Sequence, residues 1–389
     1  MRRRWTRLRV RKERKPRLTD RATISHLSVG AHFWLAGCFV GHMRILHVIF
    51  SSRIAGAERY CIDLANRQAE MGFDVHVAGR NSSPIAGALN AEVKFHGINV
   101  LFFRRRHLHR LIKNLGVDIC HAHLGPACKA LSKAANNEIK VATLHVGYKP
   151  HQHARLDGVI CVNHAQADRL AGYRGKVRVI SNWMPQAPMG IPGPGLRAKL
   201  RLSSDVFLVL AVGRLHPSKG MDLLISAFLA AAPARAVLVI LGEGPDRSKL
   251  ERLKAGDTRI HLLGFRENVQ DCLRDADLFI SPSREESFGL AILEAMAVGI
   301  PIIATAAEGP REFLRDQPAE LVRPDSVEAL GTALRGAYAH FRGNQLGRVH
   351  YDLVPFAPAT AIDCITGFYR EMIKTKTEPE KIPHFATIP

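Results

Sequence analysis

Two glutamates stand eight residues apart in the last third of the chain, at Glu286 and Glu294. Residues 287–304 contain no ionisable side chain except Glu294, which therefore lies within an apolar run. A carboxylate inside a buried helix must be paired or bound to a ligand, because burying an isolated charge is costly. On a helix the two glutamates would lie roughly 12 Å apart, which is wider than the carboxylate pair of a glycoside hydrolase. The spacing predicts two separate contacts along one bound ligand.

The residues around these glutamates predict a buried helix with an anion site at its start. Ser287, Phe288 and Gly289 form the turn that opens it, and Gly299 and Pro301 are typical of a helix end. The unpaired backbone N–H groups and the positive end of the helix dipole would favour an anion at this turn.

Two cations follow a second apolar stretch. Val206–Val212 predicts a buried parallel strand, and the loop after it carries Arg214 and Lys219. Two cations five residues apart at the carboxyl end of a strand can straddle a diphosphate. The spacing differs from that of a Walker A loop.

Histidines also end predicted strands. His145 follows Lys140–Leu144, at the edge where open α/β sheets bind ligands. Cys120, His121 and His123 cluster at the end of another strand, but their spacing fits no usual zinc site, and no metal is expected there.

These motifs together resemble those of the retaining glycosyltransferases of family 4, of the bacterial cell-envelope type. Glu286-Ser-Phe-Gly with Glu294 is similar to the E-x7-E signature, and Gly213–Gly220 is similar to the family's G-R-L-x-x-x-K-G loop. The resemblance covers about residues 43–340. It implies an α/β protein of the GT-B fold, with two Rossmann-like doubly wound domains facing across a cleft.

The resemblance also implies roles for individual residues. Glu286 and His145 would contact the transferred sugar, Glu294 would hold the donor ribose, and the loop at Ser51–Glu58, with Ala55 in place of a glycine, would lie between the donor and acceptor phosphates. The implied catalytic residues are Glu286, His145, Arg214 and Lys219. The implied donor-binding residues are Gly56, Arg214, Lys219, Phe265, Ser287, Phe288, Gly289, Leu290 and Glu294.

Strands and helices alternate from Met43 onward, which predicts parallel sheets wound with helices. The predicted strands are Ile45–Ile49, Phe73–Ala78, Val117–His121, Lys140–Leu144, Asp157–Val162, Val177–Ser181, Val206–Val212, Val237–Leu241, Ile260–Gly264, Leu278–Ser281 and Ile300–Thr305. The predicted divisions are a basic extension or mis-assigned start (residues 1–42), an acceptor domain (43–182), a Pro- and Gly-rich hinge (183–196), a nucleotide-sugar domain (197–355), and a bracing helix with a tail (356–389).

The net charge of +20 is unevenly distributed. Residues 1–42 hold 11 Lys and Arg against 2 Asp and Glu, residues 43–182 hold 20 against 9, and residues 183–389 hold 24 against 24. A basic half followed by a neutral half indicates that the protein binds an acidic surface through its basic half. The seven cysteines are scattered along the chain, which suits a reducing cytosol.

Arg104–Leu115 predicts an amphipathic basic helix. It could be a solvated face over the core, or an interfacial helix that binds anionic lipid. With the family resemblance, the charge bias predicts a lipid-linked or lipopolysaccharide acceptor and a cytoplasmic, peripheral location on the inner face of the cytoplasmic membrane.

The expected reaction is metal-independent transfer from a nucleotide-diphospho-sugar, with retention and no cofactor. Asp275 and Asp277 resemble the D-x-D metal motif of another glycosyltransferase fold, but Asp277 more simply starts a strand. The alternatives are a soluble acceptor, a GT-B nucleotide-sugar epimerase, or a basic nucleic-acid-binding protein. No nucleic-acid partner is expected, because no RNA or DNA motif is present.

Overall fold

The computed structural model describes residues 43–99, 103–134, 137–185, 195–266, 268–343 and 346–377. The predicted N-terminal extension, most of the predicted hinge and the C-terminal tail beyond residue 377 lie outside these residues.

The described residues form two parallel sheets. The first sheet contains β1 (Arg44–Val48), β2 (Asp74–Arg80), β3 (Lys94–Ile98), β4 (Ile119–His123), β5 (Ile139–Leu144), β6 (Gly158–Cys161) and β7 (Lys176–Val179). The second contains β8 (Phe207–Val212), β9 (Ala236–Leu241), β10 (Ile260–Gly264), β11 (Leu278–Ser281), β12 (Ile302–Thr305) and β13 (Glu320–Val322).

The strand order is β3-β2-β1-β4-β5-β6-β7 in the first sheet and β10-β9-β8-β11-β12-β13 in the second. Both orders reverse direction next to the first strand, between β1 and β4 and between β8 and β11. A crevice forms at such a switch point, outside the carboxyl ends of the strands. The predicted α/β fold of two Rossmann-like domains is confirmed.

Helices connect the strands of both sheets. They are α1 (Gly56–Glu70), α2 (Arg104–Leu115), α3 (Gly125–Ala134), α4 (Pro150–His153), α5 (His164–Asp168), α6 (Leu196–Lys199), α7 (Met221–Ala231), α8 (Arg247–Leu253), α9 (Val269–Asp275), α10 (Leu290–Ala297), α11 (Glu308–Phe313), α12 (Val327–Arg342) and α13 (Pro358–Thr377). Short 3₁₀ turns occupy Pro84–Ala88, Pro217–Lys219 and Val354–Phe356.

The core of the first sheet includes residues that are distant in sequence. Ile365 and Phe368 of α13 are buried in it, as is Trp183, which follows β7. The Trp183 indole N–H donates to the Asp63 carboxylate on α1. Trp183, the first residue of the predicted hinge, therefore has its side chain in this core, where burial of a large aromatic ring is favourable.

Sequence patterns missed two of the four edge strands, β3 and β13, and predicted the other two, β7 and β10. In β3 only Ile98 is fully buried, so the strand lacks the apolar run that identifies buried parallel strands.

Candidate active site

Two loops of the second sheet approach each other at its switch point. Gly220, at the end of the first loop, has φ of +63° and lies so close to the second that an added Cβ would be 2.0 Å from the Pro282 carbonyl oxygen. Gly242 approaches the first loop from the other side, and its added Cβ would be 1.9 Å from the Gly213 carbonyl oxygen. Only glycine permits these approaches, which fix the loop that carries Arg214 and Lys219.

Lys219 and Glu286 are brought together by these loops. Lys219 Nζ donates to Glu286 Oε2 at 2.6 Å, and the same carboxylate oxygen accepts from Ser283 Oγ at 3.4 Å. Arg214 is exposed and has no carboxylate within 4 Å among the described residues. The loop therefore presents one paired and one unpaired cation.

The turn at Ser287–Gly289 precedes α10 as predicted, although α10 is shorter than the apolar run and begins only at Leu290. Gly289 caps it with φ of +103°. The Glu286 carbonyl accepts from the Gly309 amide at 2.9 Å, which connects the turn to α11. Among the described residues, no hydrogen bond uses the amide N–H groups of Phe288, Gly289 or Leu290, which remain available to an anion.

Glu294 lies on α10, 8% exposed, and its nearest cation comes from the other sheet: Arg59 Nη1 on α1 is 3.8 Å from Glu294 Oε1. Burial raises the pKa of Glu294, and Arg59 opposes that rise. A distance of 3.8 Å is long for a hydrogen bond, so the carboxylate retains acceptor capacity.

A cleft with a volume of about 580 Å³ lies between the two sheets. Its charged lining residues are Arg53, Arg59, Arg214, Arg266, Glu243 and Glu294. Four cations against two acids give an electropositive lining, which suits a polyanionic ligand.

The cleft brings together five predicted donor-binding residues: Gly56, Arg214, Phe265, Leu290 and Glu294. The Phe265 ring is 55% exposed, and a Cβ added at Gly56 would be 3.4 Å from Leu290 Cδ1. Lys219, Glu286, Ser287, Phe288, Gly289 and His145 do not line this cavity; all but His145 belong to the adjoining loops.

His145 follows β5 and is half-buried. Its Nε2 lies 3.2 Å from His123 Nδ1, and the Tyr60 ring packs edge-on against it at 4.8 Å between centroids. Burial lowers the pKa of His145 to about 3, so its imidazole is neutral at physiological pH. Thr143 serves the core, since its hydroxyl is 2.9 Å from His121 Nε2.

The carboxylates of the Asp-x-Asp sequence are engaged in the fold. Asp277 Oδ2 accepts from the Leu208 amide at 2.7 Å and pairs with Arg197, while Asp275 Oδ2 accepts from the Arg197 amide at 3.2 Å. Burial raises the pKa of Asp277. Through these contacts both carboxylates stabilise the chain at the start of β11.

One group of donor atoms, from His47, Cys61 and His123, lies within 4.8 Å of one another in the described part of the chain. Both nitrogens of His47 and of His123 already have partners, in Gln68, in His145 and in each other. A metal would have to displace those hydrogen bonds.

The contacts between the two domains could not be predicted from local sequence patterns, because the partners lie more than 100 residues apart. The Asn163 side-chain amide donates to the Ser287 carbonyl, and His164 Nδ1 lies 2.7 Å from Glu312 Oε1. Asn163 also caps α5 by accepting from the Gln166 amide at 2.7 Å. The only sequence signal was an N-cap residue before a short helix.

The first domain has a basic concave surface on α2 and α3. A cavity of about 380 Å³ is lined by Arg105, Arg106, His109, Arg110, Lys133 and Ala134. None of these cations pairs with a carboxylate within the described residues. Leu108 and Ile112 of α2 are buried against the core, so the predicted amphipathic helix is present.

Among the helices that the structure describes, none combines the length and the apolar character needed to cross a bilayer.

Comparison with known proteins agrees with this architecture. Residues 54–185 match the model described as Glycosyltransferase Family 4, and residues 206–340 match that of Glycosyl transferases group 1. The chain is 28% identical over 291 residues to the lipopolysaccharide core biosynthesis glycosyltransferase LpsE of Rhizobium meliloti (strain 1021), covering 70% of this chain and 82% of LpsE. It is 26% identical to LpsD of the same organism over 284 residues, covering 69% of this chain and 80% of LpsD.

Among solved structures, Anabaena Alr3699/HepE in complex with UDP and glucose has a TM-score of 0.67 at 20% identity, covering 86% of this chain and all of HepE. The two family matches together span more than half of the chain, and both describe glycosyltransferases. With its two Rossmann-like domains of the GT-B type, the chain belongs to glycosyltransferase family 4.

Proposed function

We propose that this protein transfers a sugar, with retention, from a nucleotide-diphospho-sugar to a cell-envelope acceptor such as lipopolysaccharide core or a lipid-linked glycan. The observation that carries the proposal is the cleft, which combines the unpaired Arg214 with the weakly paired carboxylate of Glu294. A cation for a diphosphate and an acceptor for ribose hydroxyls are the two features that a nucleotide-sugar requires.

In this proposal the donor lies along the second domain. The base would lie beside Phe265, the ribose hydroxyls would donate to Glu294, and the diphosphate would lie between Arg214 and the amides that open α10. The complexes of HepE with UDP, glucose and UDP-glucose support a donor of this class. Glu286 and His145 would then contact the transferred sugar.

The proposed reaction takes place on one face of the sugar. The bond from the anomeric carbon to the diphosphate oxygen breaks, and the acceptor hydroxyl oxygen bonds to the same carbon from the same side. The hydroxyl proton passes to the departing diphosphate. Arg214, Lys219 and the α10 amides stabilise the charge that builds on that group, as preorganised donors do at an oxyanion.

Metal independence is part of the proposal. Its support is the engagement of Asp275 and Asp277 in the fold, together with the cations that take the place of a metal at the diphosphate.

The acceptor class rests on two kinds of support. LpsE and LpsD, which each cover about 70% of this chain, are named for lipopolysaccharide core biosynthesis. The basic surface of α2 and α3 lies on the first domain, the acceptor side in this account. We propose that it contacts the anionic inner leaflet, where each cation contributes about 1 kcal/mol of attraction.

The function is tested by incubating the protein with a panel of nucleotide-sugars and lipopolysaccharide core acceptors, then determining the product by NMR. The proposal expects a glycoside with the anomeric configuration of the donor. Inversion would contradict retention. Epimerisation of the donor without an acceptor would replace transfer with the epimerase alternative, and transfer only to free sugars would replace the cell-envelope acceptor with a soluble one.

A further inference from the structure

A chain of hydrogen bonds crosses the first sheet at its carboxyl edge. Gln68 Oε1 is 2.8 Å from His47 Nε2, His47 Nδ1 is 3.1 Å from His123 Nε2, and His123 Nδ1 is 3.2 Å from His145 Nε2. These residues come from α1, β1, β4 and the end of β5, and the three strands are neighbours in the sheet. We call these four residues the histidine chain.

Burial makes the histidine chain directional. Gln68, His47 and His123 are completely buried, so water cannot supply alternative partners. Burial also lowers the pKa of His47 to about 4, that of His145 to about 3 and that of His123 well below the usual value. Each imidazole is therefore neutral, with one N–H donor and one acceptor nitrogen.

The amide of Gln68 sets that direction. The structure places its oxygen against His47, while its Nε2 has no partner among the described residues. Because an amide oxygen can only accept, His47 in this arrangement donates from Nε2 and accepts at Nδ1. His123 then donates from Nε2 and accepts at Nδ1, and His145 donates from Nε2. The last nitrogen, Nδ1 of His145, is left without a proton. No hydrogen bond to a described residue involves that nitrogen.

We propose that Gln68 is a positioning residue which, through His47 and His123, fixes the tautomer of His145 so that its bare Nδ1 accepts a hydrogen bond from a hydroxyl of the transferred sugar. This inference rests on the proposed function, which places His145 at that sugar. It gives a role to the amide that is completely buried at position 68, next to Leu64 and Ala65 on α1.

His121 lies beside the histidine chain but is not part of it. His121 bonds to the hydroxyls of Thr143 and Tyr369, and its ring packs beside His123 at 4.3 Å between centroids. Because hydroxyl groups both donate and accept, the two hydroxyls that contact His121 do not fix the direction of its hydrogen bonds. In the histidine chain the direction comes from the placement of the Gln68 oxygen against His47.

The test is long-range ¹H–¹⁵N NMR of the full chain labelled at histidine, with His145→Ala to assign the His145 signals. The wild-type protein is expected to show His145 protonated at Nε2 and bare at Nδ1. Protonation at Nδ1 in the wild type would overturn the inference, and the His145→Ala variant serves only for signal assignment.

Gln68→Met removes the amide at similar volume, so His145 should become a mixture of tautomers. The kcat should fall about tenfold, the cost of one lost hydrogen bond, while the KM for the donor changes less than about threefold. Ile365→Val alters the same core without removing a polar group, and it should keep the wild-type tautomer and kcat. A general packing effect would instead impair both variants.

Two outcomes would overturn the inference directly. One is an unchanged His145 tautomer in Gln68→Met, whatever the activity. The other is a stoichiometric transition metal in the purified protein that is lost in His47→Leu, because ligated nitrogens could not form the histidine chain. A changed tautomer with unchanged kcat would instead overturn the placement of His145 at the sugar.

Discussion

Lys219 Nζ lies 2.6 Å from Glu286 Oε2, so one lysine joins the loop after β8 to the turn before α10. An ammonium carries three donors, so Lys219 can keep this contact and still reach a phosphate. In the proposed function the same cation thus orients the carboxylate near the sugar and stabilises the leaving diphosphate.

Removing either cation should slow transfer. We expect Arg214→Ala and Lys219→Ala each to lower kcat by about 10²–10³, because one well-placed electrostatic contact to a transition state contributes that much. Steady-state kinetics at saturating donor measure the effect. Arg311→Ala, an exposed arginine on α11, is the matched control. If kcat fell less than threefold in both Arg214→Ala and Lys219→Ala, their proposed role at the diphosphate would be contradicted.

Glu294→Gln should weaken nucleotide binding without loss of fold. The substitution keeps the shape but replaces a charged acceptor of ribose hydroxyls with an amide, and hydrogen bonds to charged groups contribute about 1.5–3 kcal/mol. The dissociation constant of the nucleotide should therefore rise at least about tenfold. Glu285→Gln, exposed and close in sequence, is the control. Equal affinities of Glu294→Gln and wild type would reject the ribose assignment.

Chelation should leave activity intact, and Asp277→Ala should act on stability. Asp277 accepts from the Leu208 amide and pairs with Arg197, so its removal leaves buried donors unsatisfied, at a cost of about 1–3 kcal/mol. Chemical denaturation measures that loss. Activity abolished by EDTA and restored by Mn²⁺ would contradict the metal-independent mechanism and return Asp275 and Asp277 to the reaction.

Acid should destabilise the first domain before its carboxylates titrate. The pKa of His47 is about 4 in the folded protein against an ordinary value of 6.5, so between these values the unfolded chain binds the extra proton. Stability is therefore fully present above pH 6.5 and falls as the pH falls towards 4, by about 2 kcal/mol at pH 5 for His47 alone. Denaturation at pH 7 and pH 5 measures the difference.

The variant His47→Leu separates this effect from general acid sensitivity. It should reduce the loss of stability between pH 7 and pH 5, because the residue no longer titrates in the unfolded chain. An unchanged pH dependence would show that His47 is not the group responsible.

The chain from Met43 should bind anionic vesicles reversibly. Attraction between exposed charges is screened within about 8 Å at physiological salt, so binding should be lost near about 0.5 M salt. Replacing Arg104, Arg105 and Arg106 with Ser should weaken it in a sedimentation assay. The control removes three exposed arginines from the second domain, Arg323, Arg335 and Arg342. Equal binding to neutral and anionic vesicles would contradict the electrostatic contact, and no binding at low salt would favour a soluble acceptor.

The sequence was informative where one local pattern determines the structure. Buried parallel strands are continuous apolar runs, so β8 and β11 were predicted within one residue. The amphipathic pattern gave α2 from Arg104 to Leu115 with the same bounds as in the structure. The edge strand β3 was missed, because its sequence, Lys-Phe-His-Gly-Ile, is neither a continuous apolar run nor a regular alternation.

Contacts between distant segments could not be predicted. The approach of Arg59 to Glu294 depends on how the two domains meet, and the bond from Asn163 to the Ser287 carbonyl joins residues 124 positions apart. The histidine chain could not be predicted for the same reason. His47, His123 and His145 are far apart in sequence, and the strand order β1-β4-β5 brings them side by side.

A donor site for a nucleotide-diphospho-sugar is tested by calorimetric titration of the protein with UDP, GDP and ADP, each compared with its monophosphate and all in EDTA. We expect one diphosphate to bind, at least about tenfold more tightly than its monophosphate, because Arg214 and Lys219 contact the second phosphate. Binding of none of the diphosphates, or equal affinity for diphosphate and monophosphate, would contradict a cleft built for a nucleotide-diphospho-sugar.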